Sequence, residues 1–143
     1  MDNYKKIAEG VIVNRIRSSW IELYKLYNDQ AAEKGVSLSM AFVLLTINEN
    51  FGTPVTKIAP RMSMEPNSLS RILKAMEKKG AIYKRKVYIC LTDYGLELRD
   101  LAAQRLFSFE KAIHENVDPK DIEAFFRVMN KIPSVVNVIK NNK

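Results

Sequence analysis

Cysteine, histidine and glycine are scarce in this sequence, and each scarcity excludes a class of protein. Cys90 is the only cysteine, so no intramolecular disulfide framework can form. One cysteine and one histidine, His114, cannot supply the four nitrogen or sulfur ligands of a structural zinc site. The five glycines form no Gly-rich phosphate-binding loop. We therefore expect neither a metal nor a cofactor, and no enzymatic activity.

Long apolar runs are missing as well. No uninterrupted stretch is long enough to span a bilayer, and residues 1–6 are polar and lack the apolar core of a signal peptide. With 143 residues, 47% of them hydrophobic, the chain has the length and the apolar content of one compact domain. We expect a folded cytoplasmic protein that has no membrane partner.

The net charge of +7 is confined to one part of the chain. Between Thr53 and Thr92 there are nine basic and two acidic residues, whereas the charges of the remaining chain balance. Such a localised positive excess is typical of a surface that binds a polyanion, with nucleic acid as the first candidate. A solvated basic face without a binding role is the alternative, because charge asymmetry alone is only suggestive.

Two helices are predicted before this basic segment. Apolar residues at three- and four-residue steps predict one long amphipathic helix from Tyr4 to about Glu33, with Gly35 as its stop. Ser37 is expected to cap a second helix through about Asn48. That helix is apolar nearly all round and is therefore predicted to be buried. Residues 48–54 are typical of a turn.

The basic segment itself predicts two helices and two strands. The helices run from about Val55 to Met62 and from about Pro66 to Lys79, with Gly80 ending the second one. The strands cover residues 81–85 and 87–91 and are joined with almost no loop.

Two further helices are predicted after the strands. Thr92 is expected to cap a long helix that continues to about Glu115. Asp118, followed by a proline at the first helical position, predicts the start of a last helix. Pro133 should kink or end that helix, because proline lacks the backbone N–H that a helix interior needs.

The second helix of the basic segment has one apolar and one polar face. Leu69, Ile72, Leu73 and Met76 repeat at the spacing of a buried helical stripe, and a short helix that buries Ile58 precedes them. This pattern predicts a helix-turn-helix, with an ordinary surface helix as the alternative. The opposite face displays side chains of the types that bind base edges or phosphates: Asn67, Ser68, Ser70, Arg71, Lys74 and Lys78.

Residues 38–95 resemble the winged helix-turn-helix of the MarR family of bacterial transcriptional regulators. The similarity rests on Ile58-Ala59 in the first motif helix and on Ser68–Arg71 and Leu73–Gly80 in the second. It also rests on Leu91–Gly95, which is similar to the Leu-Thr-x-x-Gly signature that opens the long dimerisation helix of the family.

The resemblance implies a mainly α fold in three segments. Residues 1–36 would form an N-terminal dimerisation helix, residues 37–92 a DNA-binding lobe with a short two-stranded wing, and residues 93–143 the C-terminal dimerisation helices. It further implies a homodimer that binds double-stranded DNA at a palindromic operator, and it favours a repressor over an activator. A winged-helix module whose basic face binds an acidic protein is the alternative.

The resemblance also implies which side chains contact DNA. The recognition helix would enter the major groove with Asn67, Ser68, Ser70, Arg71 and Lys74. The wing and other segments would add contacts, mostly to phosphates, from Lys84, Arg85, Lys86, Ser37, Ser39 and Lys78.

Many members of the family release DNA when a small aromatic or amphipathic molecule enters a cleft. Trp20, Tyr24 and Tyr27 are candidates for lining such an effector cleft, with a role in the core as the alternative, because an aromatic stripe at helical spacing is most often core. Cys90 is interpreted as a core residue, since free cysteine is among the most buried types.

The sequence departs from the pattern of the family at four places. The wing of the family usually carries an acidic-x-Arg tip whose arginine probes the minor groove, whereas Arg85-Lys86 here runs almost directly into Val87. We therefore interpret the basic wing residues as candidate phosphate contacts instead of readers of the minor groove. The other departures are Glu65 at an expected Ser or Thr cap, Ser63 at a frequent glycine position, and Pro60 inside the first motif helix.

Overall fold

The computed structural model describes residues 2–31 and 34–142 and contains, within them, seven helices and three short strands. The helices are α1 (Asp2–Gly10), α2 (Ile12–Ala31), α3 (Leu38–Thr46), α4 (Val55–Arg61), α5 (Pro66–Lys78), α6 (Asp93–Asn116) and α7 (Pro119–Asn141). The strands are β1 (Thr53–Pro54), β2 (Ile82–Arg85) and β3 (Tyr88–Leu91). The predicted mainly α fold with a short wing is thereby confirmed.

The N-terminal helix is divided in two. The prediction of one uninterrupted helix is wrong at Val11, where α1 has ended at Gly10 and α2 has not begun. Glycine is a poor helix former, because the backbone loses the most conformational freedom there. The predicted end of this helix, Glu33, lies outside the described residues.

Helix α3 begins as predicted and is buried on one side only. The Ser37 Oγ accepts a hydrogen bond from the Met40 N–H at 3.2 Å, which confirms the predicted cap. Val43 and Leu44 are fully buried, but Phe42 is 38% exposed. The prediction that α3 is buried all round is therefore wrong, because only one side of it packs against the core.

The wing belongs to a three-stranded antiparallel sheet in the order β1-β3-β2. Thr53 pairs with Ile89 and Pro54 with Tyr88, so the predicted turn over residues 48–54 is wrong at its last two residues. Pro54 has no N–H to donate, so its presence argues against a strand when only the sequence is considered. It is tolerated here because β1 is an edge strand.

The core lies between α3, α4, α5, the sheet and the first part of α6. Leu69, Leu73 and Met76 are each no more than 3% exposed, which confirms the predicted stripe of α5. Cys90 is also buried, as its interpretation as a core residue predicted. The largest fully buried side chains are Leu44, Ile58, Met76, Ile82, Ile89 and Val43.

The chain forms two compact units that divide between Ala103 and Gln104, inside α6. The predicted division into residues 1–36, 37–92 and 93–143 stays a prediction. None of the helices in the described part of the chain is long and apolar enough to cross a membrane.

The last helix, α7, starts as predicted but continues beyond the expected break. The Asp118 side chain accepts a hydrogen bond from the Lys120 N–H at 2.8 Å and caps α7. The helix does not end at Pro133 but runs on to Asn141. The missing N–H of Pro133 removes one backbone hydrogen bond, and the residues on either side keep a helical backbone.

A tight junction joins the sheet to α6. The Thr92 hydroxyl accepts a hydrogen bond from the Gly95 N–H and donates one to the Gly80 carbonyl, which confirms the predicted cap. A Cβ on Gly95 would overlap the Ala81 carbonyl oxygen, so only glycine allows α6 to pass this close to the chain. In the Thr-x-x-Gly pattern, the threonine therefore caps the helix and the glycine is required by packing.

We expect Gly95→Ala to destabilise the protein by about 1–3 kcal/mol, because the added methyl group must displace backbone rather than a flexible side chain. The urea midpoint of unfolding measures the effect. Gly10→Ala is the matched control, since nothing lies within 4 Å of its added Cβ, and it should not lower the midpoint. An unchanged midpoint for Gly95→Ala would contradict the packing argument.

Candidate nucleic-acid interface

The predicted contacts of helix α5 lie mostly on one exposed face. At about 100° per residue, five of them fall within an arc of roughly 100°, on the side opposite the buried stripe. All five are exposed: Asn67, Ser70, Arg71, Lys74 and Lys78. Ser68 differs, because it lies on the flank of the helix and is half-buried. We call the five exposed residues the α5 face.

The start of α5 retains the departures seen in the sequence. Ser63, in the turn before α5, has a φ of 51°, the left-handed conformation that glycine adopts at lower cost. Glu65 is the N-cap residue, and its side chain makes no capping hydrogen bond. Pro66 occupies the first turn, where a missing N–H carries no penalty. Helix α4, which contains Pro60, is as short as predicted, with seven residues.

The end of α5 is closed by Gly80, which has a φ of 80°. The Ala81 N–H donates to the Met76 carbonyl and the Gly80 N–H to the Glu77 carbonyl, each at 3.0 Å. This pair of hydrogen bonds is a Schellman motif, which satisfies the last carbonyls of a helix. It turns the chain directly from the α5 face into the first wing strand.

The wing presents its basic residues on two different faces. Strands β2 and β3 pair Lys84 with Ile89 and Arg85 with Tyr88. Because successive side chains of a strand alternate, Lys84 shares the side of the buried Ile89, whereas Arg85 lies on the other side. Lys86, with a φ of 59°, forms the tip together with Val87.

A groove of about 550 Å³ joins the α5 face to the wing. Ser70 of α5 and Lys84 of the wing both line it, and most of the other lining residues are apolar. The structure therefore brings together two predicted contacts that are distant in the sequence. The Val55 N–H at the start of α4 also donates to the Val87 carbonyl at 3.0 Å, which ties the wing tip to the same region.

The two serines predicted to contact phosphates occupy different surroundings. The Ser37 hydroxyl oxygen accepts the capping hydrogen bond of α3. Ser39 lines a separate cleft of about 330 Å³. The assignment of both serines to DNA contacts stays a prediction.

That second cleft contains one of the three predicted effector-binding aromatics. Trp20 lines it together with Phe42 and Arg61, among other residues. The Tyr24 ring lies 6.0 Å from that of Trp20, between centroids, and Tyr27 is buried. The structure thus separates the three aromatics by exposure: Trp20 is 49% exposed and Tyr27 is 9% exposed.

Two arginines have partners that the sequence did not indicate. The Arg85 Nη2 donates to the Phe51 carbonyl at 3.0 Å, and its guanidinium lies 5.9 Å from the centroid of the Tyr88 ring. The Arg99 Nη1 lies 3.0 Å from the Glu49 Oε2. The hydrogen bond to Glu49 raises the pKa of Arg99 above its ordinary value, against the opposing effect of burial. No periodic pattern could reveal contacts between residues so far apart in the chain.

Comparison with known proteins identifies the class of fold. The MepR protein of S. aureus, solved in complex with DNA, matches with a TM-score of 0.81 and 17% identity, over 90% of this chain and 98% of that chain. The transcriptional repressor CouR, solved with p-coumaroyl-CoA, matches with a TM-score of 0.77 and 18% identity, over 89% of this chain and 94% of its own. At these identities the likeness establishes a winged-helix fold.

Comparison of the sequence identifies the family that part of the chain matches. The MarR family model matches residues 36–87, which contain both motif helices, the first wing strand and the wing tip. The HTH-type transcriptional regulator SarZ of Staphylococcus epidermidis is 25% identical over 87 residues, and the alignment covers 56% of this chain and 59% of that regulator. Residues 36–87 therefore match the MarR family, and the resemblance inferred from the sequence is confirmed for this part of the chain.

Proposed function

We propose that this protein is a DNA-binding transcriptional regulator that inserts helix α5 into the major groove of duplex DNA. The observation that carries the proposal is the α5 face, which is exposed opposite a stripe that is almost completely buried. The major groove of B-DNA accommodates one helix, and asparagine and arginine can each make paired hydrogen bonds to a base edge.

The charged members of the α5 face are free to bind. The side chains of Arg71 and Lys74 make no hydrogen bond or ion pair with any residue that the structure describes. The segment around them also contains the entire positive excess of the chain. Two proteins of similar fold support the proposal, since MepR and CouR have each been solved with bound DNA.

We expect Arg71→Ala to weaken binding to the preferred duplex by about 1–3 kcal/mol, because arginine commonly reads guanine through two hydrogen bonds. The duplex is first selected from a random library, and affinity is then measured by gel shift at fixed salt. Arg17→Ala on the exposed surface of α2, outside the α5 face, the wing and α7, is the matched control and should leave the affinity unchanged.

Equal affinities of Arg71→Ala and the wild-type protein would remove Arg71 from the interface. If the wild-type protein shows no sequence-dependent binding to any duplex, the regulator proposal itself fails. Binding to an acidic protein in its place would support the alternative of a protein–protein interaction module.

The proposed regulator acts as a homodimer on a palindromic operator, as a repressor. Helix α7 supports this part of the proposal, because it has no buried residue although it carries many apolar ones. Phe125, Phe126, Val138 and Ile139 are each more than half exposed. A second copy of the chain would cover such a surface, and a dimer must place its recognition helices about 34–36 Å apart to meet successive major grooves.

We expect the chain to sediment as a dimer and Phe126→Asp to weaken that dimer at least about tenfold, since a buried phenylalanine contributes roughly 1.5–3 kcal/mol. Analytical ultracentrifugation over a concentration series measures the association. Phe51→Asp is the matched control, because Phe51 is 70% exposed but lies in the DNA-binding lobe. The proposed interface would be contradicted if Phe51→Asp dissociates the dimer and Phe126→Asp does not, or if the wild-type protein is a monomer.

A small aromatic or amphipathic acid is proposed as the effector, with the Trp20 cleft as its site. Trp20 and Phe42 offer apolar surface there, and Arg61 offers the charge that a carboxylate needs. Arg61 lies at the end of α4, so a ligand bound to it would touch the helix-turn-helix directly.

We expect Arg61→Gln to weaken the binding of benzoate, used as the probe, about tenfold, which is the loss of one charge-assisted hydrogen bond. Trp20 is the only tryptophan, so quenching of its fluorescence reports binding at the cleft. Arg17→Gln on the exposed surface of α2 is the control and should bind benzoate as the wild-type protein does. Equal quenching curves for Arg61→Gln and the wild-type protein would exclude Arg61 from the site.

A further inference from the structure

The turn between α3 and β1, residues 48–52, is a small rigid element that we call the Asn48–Gly52 turn. The Asn48 side-chain oxygen accepts hydrogen bonds from the Asn50 and Phe51 N–H groups, each at 2.9 Å. The Asn48 N–H in turn donates to the hydroxyl of the buried Thr53 at 2.8 Å. Gly52 has a φ of 75°, and a Cβ there would lie 2.8 Å from the Ile89 carbonyl oxygen. The turn is therefore held in one conformation against the sheet.

Arg85 binds this turn from the wing. Its guanidinium donates to the Phe51 carbonyl at 3.0 Å and also lies over the ring of Tyr88, its cross-strand partner. Both partners are protein groups beside the wing, and Arg85 lies on the opposite face from Lys84. An arginine held in this way is directed toward the protein rather than past the wing tip.

Arg99 of α6 binds the same turn through Glu49. Its two terminal nitrogens lie 3.0 Å from the Glu49 carboxylate and 3.2 Å from that of Asp100. The Arg99 side chain is only 22% exposed, so the geometry is more constrained than that of a free surface pair. Exposed ion pairs contribute little to stability. The ion pair between Arg99 and Glu49 therefore matters because it fixes the position of the turn relative to α6.

We propose that Arg85 is a positioning residue and not a DNA contact: Arg85 and Arg99 hold the Asn48–Gly52 turn between them, so that α6 determines where the wing lies. This inference rests on the proposed function, which it deepens. The wing then touches DNA through Lys86 at its tip and Lys84, which contact phosphates. The contribution of the wing to affinity is independent of the DNA sequence, and α5 recognises the bases.

The salt dependence of DNA binding separates the two roles. Each lost phosphate contact reduces the slope of log affinity against log salt by about 0.9. Lys86→Gln should therefore lower the slope by about 1, whereas Arg85→Gln should lower the affinity at every salt concentration and leave the slope unchanged. An equal loss of slope for Arg85→Gln would make Arg85 a phosphate contact and overturn the inference.

The connection to α6 is tested by a double-mutant cycle on DNA affinity. Glu49→Gln should weaken binding about two- to thirtyfold, the usual range for residues that couple sites without touching the ligand. In the double variant with Arg85→Gln, Glu49→Gln should weaken DNA binding much less than it does alone, because both changes break the same connection. Full additivity of the two changes would overturn the connection.

A readout without DNA keeps this inference separate from the proposed function. In the free protein, Glu49→Gln and Arg99→Gln should each accelerate hydrogen exchange of the backbone amides of β2 and β3, which lie outside both the turn and α6. Glu97→Gln, an exposed change on α6, is the matched control and should leave that exchange unchanged. If wild-type protein binds no duplex, the proposed function fails, while accelerated exchange would still support the connection from Arg99 through the Asn48–Gly52 turn to Arg85. Unchanged exchange in both variants would overturn that connection even if DNA binds.

Discussion

Burial of one side of helix α5 is the constraint on which the rest of the candidate interface depends. Leu69, Leu73 and Met76 have almost no contact with solvent, so the rotation of the helix about its axis cannot vary. That rotation turns Arg71 and Lys74 outward. The same packing that stabilises the lobe therefore selects the side chains that can meet a ligand, and the flank position of Ser68 follows from it.

Glycine secures the two places where the lobe is joined most closely. Gly95 allows α6 to begin against the carbonyl of Ala81, and Gly52 allows the turn before β1 to approach Ile89. Gly80, by contrast, has no close neighbour and is suited by its positive φ to ending a helix. The five glycines of the chain are few, but three of them hold the sheet between α3, α5 and α6.

The wing shows how a basic segment can contain charges with different roles. Lys84, Arg85 and Lys86 are adjacent and all exposed, and the sequence offers no way to separate them. Pairing of β2 with β3 places Lys84 on the side of the groove and Arg85 beside Tyr88. A short wing without a projecting arginine is then a coherent structure, since its arginine binds the Phe51 carbonyl.

Local chemistry was readable from the sequence alone. The 3.6-residue period of α5, the caps at Ser37, Thr92 and Asp118, and the position of the positive charge depend on residues near one another in the chain, and the structure confirms the helices and caps. Tertiary structure decided the rest: the strand at Thr53–Pro54, and the partners of Arg85 and Arg99, which lie 34 and 50 residues away. Helical patterns and caps act over three or four residues, whereas strand pairing and long side-chain contacts depend on how the chain packs, which no local spacing encodes.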